Sequence, residues 1–152
     1  MKSSARVVVI GGGVVGASVL YHLTKAGWTD VVLVERKQLT AGSTWHAAGG
    51  MHTLNGDPNV ARLQQYTVNL YKEIEKESGQ NCGIHLPGGL MLADTPERLD
   101  FLRMAQARGR YLGMHMEMLS MKEAKALNPL LEEKYFVGAL YDEDEGSVDP
   151  YG

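Results

Sequence analysis

The stretch VVVIGGGVVG, residues 7–16, decides the fold. Val7 to Ile10 form an unbroken apolar run, the pattern of a short strand buried on both faces. After the glycines, VVGASVLYHLTKAG places Val15, Val19, Leu20 and Leu23 at helical spacing, and Gly27 supplies the expected C′ stop. A second apolar run, VVLVE, then spans Val31 to Glu35. Two parallel strands joined by a helix make a right-handed βαβ unit.

Gly11, Gly13 and Gly16 fit the G-x-G-x-x-G spacing in that setting, strand before and helix after. Gly11 makes the sharp turn, Gly13 lets backbone approach a pyrophosphate, and Gly16 lets helix pack closely on strand. The helix N-terminus offers free N–H groups and partial positive charge to phosphates, with Val14 and Val15 supplying amides. Glu35 lies 19 positions after Gly16, where a carboxylate can accept hydrogen bonds from a ribose diol. Arg36 either pairs with a 2′-phosphate or flanks an adenosine. The motif alone leaves NAD(P) and FAD both open. The loop that follows, GSTWHAAGG at residues 42–50, favours FAD. A connecting loop gains nothing from an adjacent tryptophan and histidine, whereas a flavin extends beyond the first βαβ unit and needs such a surface.

Composition narrows the class. The chain has 152 residues, 44% hydrophobic and 22% charged, ordinary for a globular domain or a piece of one. A net charge of −3 offers no field for nucleic acid or an anionic membrane, so neither partner is expected. The single cysteine, Cys82, cannot close an internal disulfide and leaves no metal-type cysteine pair. His22, His52, His85 and His115 have no partners at metal spacing, so no metal site is expected. MKSSAR runs straight into the first strand without a signal or transit pattern, which makes the cytoplasm the expected location. Five of the eight methionines fall between Met104 and Met121 and read as core filler.

Further along, Asp57 as N-cap, Pro58 at N1 and Gly79 as stop bound a helix whose face carries Val60, Leu63, Thr67, Leu70 and Ile74. GIHLPGGLMLAD reads as two short strands around Pro87, Gly88 and Gly89. Thr95 and Pro96 open a helix toward Gly113, and Ser120 with Glu123 make a capping box for a short helix ending before Pro129. YFVGALY reads as a strand, and Asp149 as a turn former. A nucleotide-binding part, residues 1–56, is therefore followed by helical and β segments at 57–152. Only two strands look parallel and central, too few to close an open sheet, which points to an incomplete domain.

VVVIGGGVVGASVLYHLTKAG followed by VVLVERKQLTAGSTWHAAGG resembles the amino-terminal part of the dimethylglycine dehydrogenase and sarcosine dehydrogenase family, flavoproteins of the D-amino-acid-oxidase type. The similarity continues through ESGQNCGIHLPGGLMLAD, NPLL and GALYDEDEGSVDP, with TAGSTWHAAG its most specific part. The resemblance implies an α/β fold, a Rossmann-like FAD-binding βαβ start that is truncated after part of a substrate-side α+β region. It sets Val14, Val15, Glu35 and Arg36, together with Gly42, Ser43, Thr44, Trp45, His46, Ala47, Ala48, Gly49 and Gly50, against FAD. It also makes His46 the residue bonded covalently to the flavin 8α carbon.

The implied reaction is oxidation of an N-methylated glycine, dimethylglycine or sarcosine, with hydride passing from the N-methyl carbon to flavin N5. The resulting iminium is hydrolysed or captured by tetrahydrofolate through a domain outside these residues, and an electron-transfer flavoprotein accepts the electrons. No visible residue reads as the catalytic acid or base. GGMHTLNGDPNVARL departs from the animal enzymes, which points to a bacterial branch with its own substrate in the cytoplasm; a eukaryotic source would place it in the mitochondrial matrix. Two other readings compete: a non-catalytic regulatory relative of the same flavin fold, which retention of His46 disfavours, and a nicotinamide-dependent dehydrogenase, for which the loop has no use.

Overall fold

The computed structural model describes residues 3–151. Contacts divide the chain into two compact units, the first running to Ala48 and including Tyr151, the second Gly49–Pro150.

The first unit is the βαβ element. Strands β1 (Val7–Ile10) and β2 (Val31–Val34) pair in parallel, Val7 opposite Val31 through Ile10 opposite Val34. Helix α1 (Val14–Lys25) connects them. It closes in a Schellman motif: Gly27, at φ +86°, donates to Thr24 O and Trp28 donates to Leu23 O. Those two bonds occupy carbonyls that the helix end leaves without partners.

The second unit opens with a two-residue strand, β3 (Gly50–Met51), and helix α2 (Pro58–Ser78). Asp57 caps α2 by accepting from Asn59 N and Val60 N, and Gly79 ends it in the left-handed conformation, as the sequence predicts. The buried face differs from expectation. Ala61, Val68 and Leu70 are buried while Val60 and Leu63 are exposed. Ala61 has no Cβ branch to hold it off its neighbours, so it is the residue that enters the core; the larger Val60 and Leu63 lie on the adjacent stripe.

The sheet of this unit has β6 (Gly138–Asp142) between β4 (Gly89–Ala93) and β5 (Met116–Leu119), all antiparallel. Period-2 alternation divides its side chains. Leu140, Met91 and Met118 join Leu102 and Ala105 of helix α3 (Pro96–Tyr111) in one cluster with Met114 and Met116. Ala139, Leu90, Leu92 and Leu119 face the other way, against Ala124 of helix α4 (Met121–Leu127), Leu131 and Phe136. Met114 and Met116 are buried, as core filler should be, whereas Met104 is exposed and does not serve as core filler.

Two strand assignments change. The segment before Pro87 does not form a hairpin with β4; His85 bridges to Ser147 instead, and β4 pairs with β6. Gly88 N donates to Glu145 O, which draws the turn toward the β6 side. YFVGALY becomes strand only from Gly138, because Glu133–Tyr135 form a 3-10 turn. A short ladder between β3 and β7 (Gly146–Ser147) completes the unit.

Candidate functional site

The turn at Gly11 and the close approach at Gly16 follow from the spacing of the glycine motif. Gly11 adopts φ +106° and an added Cβ there would meet nothing within 4 Å, so the constraint is the left-handed backbone and the space above it is open. At Gly16 the constraint is contact: an added Cβ would lie 1.8 Å from Gly11 O. Gly13 is the N-cap of α1 in extended conformation, with Thr44 Oγ1 2.9 Å from the position its Cβ would take.

Gly12, the unassigned position of the motif, turns out to hold the acid. Its N–H donates to Glu35 Oε2 at 2.7 Å, and Lys37 N–H donates to Oε1 at 2.9 Å. These bonds, the one from Gly12 foremost, hold the Glu35 carboxyl below its ordinary range, and the neighbouring charge of Arg36 adds to the effect. Each oxygen keeps a second lone pair, enough to accept from two vicinal hydroxyls. The signal that could have found Gly12 was its position two residues past Ile10, which pairs with Val34 at the end of β2.

Past Glu35 the chain winds through turns to Ala47. Thr40 takes φ +61°, a left-handed conformation that is costly for a β-branched residue, and its N–H donates to Gly12 O at 2.9 Å. The loop is thereby hung on the motif at both ends of Gly12. It is fastened again by Thr44, whose Oγ1 accepts from Val14 N–H at 3.0 Å. Val14, expected to offer its amide outward, therefore gives it to the loop, and the Thr44 hydroxyl hydrogen is left to point at whatever sits before the helix.

Ser43, Trp45, His46, Ala47 and Ala48 are exposed on the same loop, and Arg36 is exposed beside Glu35. His46 Nδ1 lies 2.8 Å from Gly42 O. A carbonyl can only accept, so Nδ1 carries the hydrogen and, in the neutral ring, Nε2 carries the free lone pair. The Trp45 indole lies against the imidazole, ring centroids 3.9 Å apart and planes inclined at 39°. The first unit thus gathers Gly11, Gly13, Val14, Val15, Gly16, Glu35, Arg36 and residues 42–48. Gly49 and Gly50 belong to the second unit, where Gly49 O accepts from Val148 N and Gly50 opens β3.

The donor set suits a dinucleotide with a reactive ring system: open space over a left-handed glycine, a hydroxyl before the helix, a carboxylate with lone pairs to spare, and an imidazole with its nucleophilic nitrogen uncommitted. Among the described residues no three His, Cys, Asp or Glu side chains converge as a metal site would require. His22 turns back on Ser18 O, and His52 pairs with Glu145, a contact no spacing in the sequence announces. Among the described residues no helix is long and apolar enough to cross a membrane.

Comparison with known proteins bears on the same residues. The family model described as FAD dependent oxidoreductase matches residues 6–152. Over 150 residues the chain is 41% identical to mitochondrial dimethylglycine dehydrogenase of Rattus norvegicus, covering 99% of this chain and 18% of that protein. It is 39% identical over 153 residues to mitochondrial sarcosine dehydrogenase of Homo sapiens, covering 100% of this chain and 17% of that one. The chain therefore spans less than a fifth of the length of these relatives. Among solved structures, the L-proline dehydrogenase of P. horikoshii superposes with a TM-score of 0.89 at 26% identity, over 99% of this chain and 40% of that one.

Proposed function

The chain belongs to the FAD dependent oxidoreductase family, and on that premise we propose that it holds the flavin of an enzyme that dehydrogenates an N-methylated glycine, dimethylglycine or sarcosine, with FAD attached through His46. The similarity to two dehydrogenases of that name supports the substrate class. One observation supports the attachment: the Gly42 carbonyl fixes His46 in the tautomer whose Nε2 is free to form a bond.

The residues divide the work. Gly11, Gly13, Val15 and Gly16 admit the pyrophosphate to the start of α1, and Thr44 donates its hydroxyl to it. Glu35, oriented by Gly12 and Lys37, receives the ribose hydroxyls. Arg36 flanks the adenosine. Ser43, Ala47 and Ala48 give the flavin a surface without bulky side chains. When bound, the flavin supplies the two-electron acceptance that an N-methyl C–H bond requires. No side chain of this chain is assigned as the substrate's acid or base. The electrons pass to a protein acceptor such as an electron-transfer flavoprotein, and tetrahydrofolate, where used, is held by a part of the protein beyond these residues. This work is done in the cytoplasm of a bacterium or the matrix of a mitochondrion.

The test uses the full-length protein. Anaerobic addition of dimethylglycine or sarcosine is expected to bleach the flavin absorbance, and glycine is not. Acid precipitation is expected to leave the colour in the pellet, and His46→Ala to move it to the supernatant. If neither methylated glycine bleaches the flavin, the substrate class is wrong; a colourless wild-type pellet removes the covalent bond but leaves the flavoprotein.

A further inference from the structure

The His46 imidazole is exposed, yet it is not free to turn. Gly42 O engages Nδ1 at 2.8 Å on one edge, and the Trp45 indole covers one face at 3.9 Å between centroids. A ring carrying a single hydrogen bond can still swing about its Cβ–Cγ bond, since the terminal torsion of histidine is broad. The indole, its plane tilted 39° to the imidazole, restricts that freedom, because a swing that carries the imidazole edge toward it ends in contact. Trp45 is itself half-exposed, so burial of the indole does not account for its place in the loop.

We propose that Trp45 is a positioning residue for flavin attachment, holding the His46 ring so that Nε2 faces the 8α carbon. The proposal rests on the covalent reading given above. In the step it serves, the Nε2–C8α bond forms while the methyl group gives up one hydrogen as a proton and the imidazole gives up its Nδ1 hydrogen as another. The electron pair of the broken C–H bond stays on the flavin, which is thereby reduced by two electrons. Dioxygen then takes that pair with two protons and leaves as hydrogen peroxide, which closes the balance. Trp45 exchanges no electron or proton in this. It narrows the orientations of the nucleophile, and a misdirected nucleophile costs on the order of tenfold to a hundredfold in rate.

The experiment mixes full-length apoprotein with FAD in air and follows, over time, the share of bound flavin that survives acid precipitation. Expressing attachment as a share of bound flavin separates it from any loss of affinity. Trp45→Ala is expected to slow attachment about tenfold or more, and Trp45→Phe, which restores a ring face, to return within about twofold of wild type. Trp45→Leu keeps bulk without a planar face and is expected to be slow; it serves if the alanine variant does not fold. Attachment at the wild-type rate in Trp45→Leu or Trp45→Ala overturns the proposal, as does Trp45→Phe being as slow as Trp45→Ala. A wild-type protein that binds FAD and never attaches it overturns the covalent reading itself, a result distinct from any difference among the variants.

Discussion

Glu35 shows how backbone donors can prepare a side chain for a ligand. Its carboxylate is stabilised by N–H groups of Gly12 and Lys37, so its folded pKa is depressed. A depressed carboxylate contributes stability that is present above its unfolded value, about 4.3, and is lost as the pH falls through the folded value. Glu35→Gln lacks that contribution at every pH. The gap in thermal midpoint between wild type and this variant is therefore expected to be widest above the unfolded value and to close as the pH falls through the depressed folded one; a gap that does not vary with pH would show that these bonds do not act through the charge. FAD affinity of the apoprotein should also fall about tenfold at neutral pH, measured by flavin fluorescence titration. Gly16 gives a steric counterpart. A methyl group 1.8 Å from the Gly11 carbonyl cannot be accommodated by a side-chain shift, so Gly16→Ala is expected to abolish FAD retention through gel filtration, not merely to weaken it.

At the scale of elements, what the sequence made legible was whatever depends on neighbours within a few residues. The caps of α2 and α4 and the Schellman close of α1 follow from local chemistry at Asp57, Ser120 and Gly27, and the one longer-range feature legible was the parallel pairing of β1 with β2, from two apolar runs joined by a helix. What was not legible depends on distant partners. Met116–Leu119 carries no alternation strong enough to mark a strand and becomes β5 because β6 is there to pair with. His85 pairs with Ser147, 62 residues away, not across the Pro87 turn. The same division runs through the candidate site: the turn at Gly11 and the close approach at Gly16 were legible from spacing, whereas the bonds from Gly12 to Glu35 and from Val14 to Thr44 needed the fold. Two variants test the elements. Ser120→Ala removes a cap in which Ser120 Oγ receives Glu123 N–H while Glu123 reaches back to Ser120 N–H; the loss of about 1 kcal/mol should lower amide protection in α4 about fivefold by hydrogen exchange. Leu140→Ala empties a site that is 2% exposed at the centre of the sheet. Its cost should be about 3 kcal/mol in urea unfolding of the full-length protein.

For the chain as a whole, the two units differ in how far they satisfy their own apolar surface. The second has clusters on both faces of its sheet, with Leu102 fully buried and Leu140 nearly so. In the first, Val8 is 51%, Ile10 86% and Val34 44% exposed, although parallel strands are normally covered on both faces. Side chains of that size are worth roughly 2 kcal/mol each when buried, and β1 and β2 collect little of it within these 152 residues. The proposed flavin site is built on those same strands, so its glycine turn and loop inherit their instability whenever the strands are left uncovered. Expressed by itself, the 152-residue polypeptide should therefore bind an apolar dye such as ANS and retain little FAD. Limited proteolysis read by mass spectrometry should cut first in the turns between Arg36 and Ala47, while Gly49–Pro150 survives longest as a fragment. The opposite order, with α3 or the sheet cleaved before the loop, would mean that apolar burial does not set the stability of either unit. Saturable, stoichiometric FAD binding by the isolated polypeptide would mean that the loop and glycine turn hold their geometry without a covered sheet.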